Sequence, residues 1–78
     1  MMTSEGIKEI LDGIFQGGHI EVEDMTGTMD HFQIAVAWEG FRGKGLIEQH
    51  QMVNRALAAP LEDGRIHALK IKTSVPKN

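Results

Sequence analysis

The run "HFQIAVAW", residues 31–38, constrains the fold most strongly, because its side chains alternate in character along its whole length. A β-strand sends successive side chains to opposite faces, so Phe32, Ile34, Val36 and Trp38 are expected inward and Gln33, Ala35 and Ala37 outward. Such a strand has one face to bury and needs an apolar cover. The preceding "HIEVEDM" alternates in the same way, opposing Ile20 and Val22 to Glu21 and Glu23, and "TGTMD" between the runs is turn material. Two alternating runs joined by a short glycine-containing loop predict an antiparallel hairpin.

The cover is helical. In "TSEGIKEILDGIF" the apolar residues Ile7, Ile10, Leu11, Ile14 and Phe15 recur at i, i+3, i+4, i+7 and i+8, which makes one stripe on an α-helix. Thr3 or Ser4 can cap its start, Glu5 sits near the positive end of its dipole, and Gly17 and Gly18 end it. "LIEQHQMVNRALAA" predicts a second helix with Leu46, His50, Val53 and Leu57 on one face, bounded by Pro60 and Gly64. "HALKIKT" reads as a last strand, ended by Pro76, on which His67 shares the parity of the core positions Leu69 and Ile71.

The order is α-β-β-α-β, an α/β chain of the two-layer α+β kind, with a three-stranded mixed sheet and both helices on one face. A strand, helix, strand connection within one sheet is almost always a right-handed crossover between parallel strands, so the third strand is expected parallel to the second. Ile10, Leu11, Ile14, Phe32, Ile34, Val36, Val53, Leu57, Leu69 and Ile71 are expected to form one core. The 78 residues suit a single domain, residues 1–78, and a chain of this size buries only ~60 % of its unfolded surface.

Chemistry has few carriers. There is no cysteine, so the chain has no disulfide, no nucleophilic thiolate and no sulfur ligand of the thiolate kind. It contains no nucleophile elbow, no HExxH and no Walker loop, so the usual catalytic constellations are mostly absent. "DMTGTMD", Asp24 to Asp30, is not a calcium loop: glycine falls at the fourth position and Ala35 at the twelfth, where a bidentate Glu is needed. No apolar run approaches the ~20 residues of a membrane span, and the N-terminus lacks the pattern of a secretion signal. A cytoplasmic protein without a membrane partner is expected.

Residues 1–40 carry eight acidic and one basic side chain, whereas 41–78 carry three acidic and seven basic. Within the basic half "GFRG", residues 40–43, has the letters of the GxxG loop that grips a nucleic-acid backbone, with Arg42 and Lys44 beside Gly40 and Gly43. The same glycines equally suit a tight turn. Of the four histidines, His19 reads as a solvated turn residue and His50 as a hydrogen-bonded ring in an apolar stripe. His31 opens the second strand facing outward, and His67 stands where its ring can lie at the sheet end, one nitrogen held by the protein and the other presented outward.

"DHFQIAVAWEGFRGKGLIEQHQMVNRAL" followed by "RIHALKIKTSVP" resembles the BolA family. The resemblance rests on Phe41, Gly43 and Lys44 after the second strand, on His50, Val53 and Asn54 in the second helix, and on Ile66 to Thr73 with a nearby proline. It implies a topology akin to type II KH domains, and it implies no enzyme. It further implies a partner, a monothiol glutaredoxin, with which a [2Fe-2S] cluster is shared using glutathione, and a homodimer is a further expected form. On this resemblance the ligand histidine is His67. The second family ligand comes from the loop between the first two strands; its cysteine position corresponds to Met29 here, and His31 is the nearest substitute. A KH-like nucleic-acid-binding or transcription-regulatory module is the alternative.

Overall fold

The computed structural model describes residues 2–76. Helix α1 spans Ser4–Ile14, and Thr3 caps it by accepting the Gly6 N–H on Oγ1 at 3.0 Å. Strands β1 (His19–Asp24) and β2 (His31–Ala37) form the expected antiparallel hairpin, with Val22 opposite Ile34. Helix α2 (Leu46–Ala56) then leads across to β3 (Ala68–Ser74), which pairs parallel to β2 with Phe32 opposite Leu69 and Ile34 opposite Ile71. The sheet order is β1-β2-β3, with α1 packed on β1 and α2 on β3. This is the mixed sheet with a helical layer that the alternating runs demanded.

Two short elements add to the predicted order. A 3-10 turn spans Glu39–Phe41, and a one-turn helix α3 spans Ala58–Glu62. Pro60 therefore does not end the helical segment. It is the third residue of α3, where a backbone N–H has no helical partner, so its missing donor costs nothing there.

Ile7, Leu11, Phe15, Phe32, Ile34, Val36, Phe41, Val53 and Leu57 are all buried in one cluster, against which Ile10, Leu69 and Ile71 pack half-buried. Two expectations fail. Ile14 is 49 % exposed, and the inward place at the end of the α1 stripe goes to the next residue. Phe15 takes it, its ring 5.0 Å from that of Trp38 and 5.4 Å from that of Phe41. Leu46 is also exposed, at 61 %. Its expected place on the inward face of α2 is held by Gln49, whose Nε2 donates to the Lys44 carbonyl at 2.8 Å while its Oε1 accepts from Thr73 Oγ1 at 2.5 Å. A buried amide with both ends satisfied ties α2 to β3 and turns Leu46 away.

Candidate metal centre at the sheet end

Because β2 and β3 run parallel, both begin at the same end of the sheet. His31 is the first residue of β2, its register partner is Ala68, and His67 immediately precedes that partner. The two imidazoles singled out from opposite halves of the sequence thus meet, their ring centroids 6.1 Å apart and their planes crossed at 87°. His67 is not on the core side of its strand in the manner of Leu69 and Ile71, since it lies just before β3 begins; its side chain is 61 % exposed and that of His31 41 %.

Asp30 sits between them. Its Oδ1 is 2.8 Å from His31 Nδ1 and its Oδ2 is 3.2 Å from His67 Nδ1. The Asp30 backbone takes part as well, its carbonyl accepting the N–H of His67 at 2.7 Å and of Ala68 at 3.2 Å. The Thr28 hydroxyl donates to the carboxylate, and this bond, followed by that with His31, holds the Asp30 pKa down to about 2. At neutral pH Asp30 is therefore a pure acceptor. The hydrogen bond between His31 Nδ1 and this acceptor favours the tautomer that leaves the Nε2 lone pair of that ring free, while His67 Nδ1 faces the same carboxylate without a side-chain hydrogen bond. A carboxylate behind a histidine is the arrangement that orients imidazole toward a metal.

The loop that carries Asp30 is itself fixed. Asp24 at the end of β1 accepts the backbone N–H groups of Thr26, Gly27 and Met29 at 3.3, 3.0 and 3.0 Å. Met29, the loop position expected to correspond to a ligand cysteine, has φ +60° and packs its side chain half-buried against the core. Asp30 was not singled out as a site residue from the sequence. Its adjacency to His31 is visible there, but its reach to His67 depends on the parallel pairing of strands whose partners lie 37 residues apart. Among the described residues no group of three or more histidine, cysteine, aspartate or glutamate side chains forms a complete metal site.

The other two histidines stay apart from this centre. His19 is exposed and its Nε2 lies 3.0 Å from Glu21 Oε2, while His50 is half-buried in α2. The residues of the GxxG letters, Gly40, Arg42, Gly43 and Lys44, lie beyond the opposite end of β2. Arg42 makes a two-point contact with Glu39, Nε to Oε1 at 2.7 Å and Nη2 to Oε2 at 2.8 Å, and Lys44 Nζ lies 3.6 Å from Glu48. Both cations are thus turned toward carboxylates of their own chain.

A family model described as BolA-like protein matches residues 12–78. The chain belongs to the BolA family. Among its relatives, Protein BOLA2 of Arabidopsis thaliana is 40 % identical over 73 residues, covering 92 % of this chain and 76 % of that protein. BolA1 from Arabidopsis thaliana has a solved structure that superposes with a TM-score of 0.85 at 26 % identity, over 94 % of this chain and 90 % of that one. The BolA domain of SufE1 from the same plant superposes at 0.84 with 28 % identity, over 94 % and 91 % of the two chains. This BolA-like chain thus matches its relatives in fold as well as in sequence. No helix among the described residues is long and apolar enough to cross a membrane.

Proposed function

We propose that this BolA-like chain is an adaptor that pairs with a monothiol glutaredoxin and contributes imidazole to a glutathione-dependent [2Fe-2S] cluster held between the two proteins, in cluster trafficking or iron regulation. The observation that carries this reading is Asp30 standing behind both His31 and His67, so that each ring has one nitrogen turned to a carboxylate and the other free at an exposed sheet end. The donor chemistry fits: two neutral nitrogens are borderline ligands that suit iron, and a chain without cysteine leaves the thiolates to its partner. His67 is the first ligand and His31 the candidate second, in place of the loop thiol. When bound, the cluster supplies iron coordination and redox capacity; the chain's own part is to hold two rings beside one carboxylate and to offer them at a rim that a second protein can reach. Imidazole must be neutral to ligate, so acid competes with the metal for the same nitrogen.

The test is co-purification of the full chain with a monothiol glutaredoxin, glutathione, iron and sulfide, read by visible absorption and circular dichroism. The wild-type mixture is expected to give a cluster spectrum distinct from that of the glutaredoxin alone. His67→Ala is expected to lose that spectrum or shorten its lifetime while the free chain stays folded, and His31→Ala to do so only if its ring is the second ligand. An unchanged spectrum and lifetime with His67→Ala would sink the assignment. Tight, salt-dependent binding to DNA or RNA by a chain that forms no glutaredoxin complex would favour the KH-like reading instead.

A further inference from the structure

β3 is an edge strand, with β2 on one side and, among the described residues, no strand on the other. Its parallel ladder fixes which backbone groups are already bonded. The Ala68 N–H donates to the Asp30 carbonyl at 3.2 Å, and the Ser74 carbonyl accepts the Trp38 N–H at 3.0 Å. Alternate residues of a strand point their backbone groups the same way, so Ala68, Lys70, Lys72 and Ser74 bond to β2, while Leu69, Ile71 and Thr73 turn theirs to the open side. Side chains add to this. Leu69 and Ile71 are only half-buried on the helical side, where their register partners Phe32 and Ile34 are fully buried, so apolar surface borders the open edge. On the other face Lys70 and Lys72 are exposed and, among the described residues, have no ion-pair partner.

We propose that the β3 edge binds an extended acidic segment of another protein, which joins the sheet as a fourth strand. Main-chain hydrogen bonds to Leu69, Ile71 and Thr73 supply affinity, and the alternation of side chains supplies selectivity. On the helical side the ligand's residues lie beside Leu69 and Ile71 and are apolar; on the other side they lie beside Lys70 and Lys72 and are acidic. Charge also chooses the edge. β1, the other edge of the sheet, carries Glu21 and Glu23 on the same face as the two lysines and repels the same ligand. Charge likewise disfavours a second copy of β3, because antiparallel pairing of two such edges brings lysine beside lysine.

The contact is local. Only Leu69, Ile71 and Thr73 offer outward backbone groups, and the two lysines act at an exposed surface, so the association is weak, reversible and sensitive to salt. The ligand lies alongside β3, whereas His67 precedes that strand and His31 opens the strand on its far side. The proposal therefore does not rest on the metal chemistry of the sheet end.

The probe is a blocked peptide as long as β3, seven residues, in which valine alternates with glutamate. It is titrated into the full chain to about 1 mM, at about 20 mM and about 500 mM salt, and read by amide chemical shifts. Saturable shifts concentrated at residues 68–74, weakened at high salt, are expected. Lysine in place of the peptide's glutamates, or N-methylation of its backbone amides with every charge kept, should each weaken binding by ~tenfold or more. Lys70→Glu with Lys72→Glu should reverse the preference, so that the chain takes the lysine peptide instead. Lys8→Glu with Arg55→Glu, the same change in net charge placed on the helices, should leave binding of the acidic peptide unaltered. Far-UV circular dichroism checks that each variant is folded. The absence of saturable shifts, full binding of the N-methylated peptide, indifference to the lysine reversal, or shifts centred away from β3 overturns the proposal. So does displacement of the peptide by a single-stranded oligonucleotide that binds more tightly, which gives the edge to nucleic acid. A free chain that sediments as a dimer and dissociates as the peptide is added overturns it as well, giving the edge to a second copy.

Discussion

Asp30 holds His67 twice: its carbonyl accepts the His67 backbone N–H at 2.7 Å, and its carboxylate lies 3.2 Å from the Nδ1 of the same residue. The backbone contact sets where β3 starts, and the side-chain contact sets how the ring turns. Removing only the carboxylate should therefore separate the two roles. Asp30→Ala is expected to leave β3 paired, seen as an unchanged far-UV spectrum, while cluster lifetime in the glutaredoxin complex falls; loss of an outer-shell partner typically costs ~10–100-fold in metal affinity or activity. Unchanged lifetime would show that the rings orient themselves.

The pH dependence of the metal-free chain tests the same carboxylate. Its pKa is lowered from 3.8 to about 2, first by the Thr28 hydroxyl and then by His31. A carboxylate with a depressed pKa in the folded state stabilises the fold above its unfolded pKa, and that stabilisation is lost as pH falls through the folded value. Thermal melts taken between pH 5 and pH 2 should therefore show a decline in wild type that is shallower in Asp30→Asn. Parallel declines would mean that other carboxylates govern the acid limb.

The core prediction concerns Ile34 and Leu57, both fully buried. Truncating either to Ala should cost ~2–5 kcal/mol, a large share of the stability of a small domain. Urea unfolding measures it, and a midpoint close to that of the parent would contradict the packing described.

Gly40 gives a sharper test. A Cβ at this position would lie 2.4–2.6 Å from three atoms of the Trp38 ring, which is itself edge-on to Phe41 at 5.3 Å and donates Nε1–H to the Gln16 carbonyl at 3.1 Å. The ring is pinned and cannot retreat freely. Gly40→Ala should destabilise by ~1–3 kcal/mol through overpacking and shift the tryptophan emission. Arg42→Ala with Lys44→Ala, by contrast, removes exposed ion pairs and should change stability by no more than ~1 kcal/mol. If the glycine change is silent, the loop has room that the geometry denies it.

The strands and their pairing were legible because alternation is a local signal and a crossover has a preferred hand. What the periodicity could not resolve was competition for a single inward position. Leu46 looked like a core residue by its spacing from Val53, but Gln49 wins the inward face through Thr73, a partner 24 residues away. Ile14 likewise yields the inward place at the end of α1 to Phe15. Proline breaks helices in their interior, which makes Pro60 read as a stop, yet it stands in the first turn of α3. At the candidate site, His67 and His31 were each readable as end-of-strand residues. In the sequence Asp30 reads only as the end of a loop unfit for calcium, because its place beside His67 depends on where the third strand is laid.

That dependence has a kinetic consequence. The hairpin that carries Asp30 and His31 closes through a short loop, a fast and local event, whereas His67 arrives only when the chain has traversed α2 and α3 and laid β3 parallel to β2. Parallel pairing across a long crossover is an inherently late step, since loop-closure entropy must be met before the contacts form. The two imidazoles are therefore neighbours only in a chain that has completed its topology. A nascent or partly unfolded chain presents single histidines, and possession of the paired rings is a certificate of the finished fold.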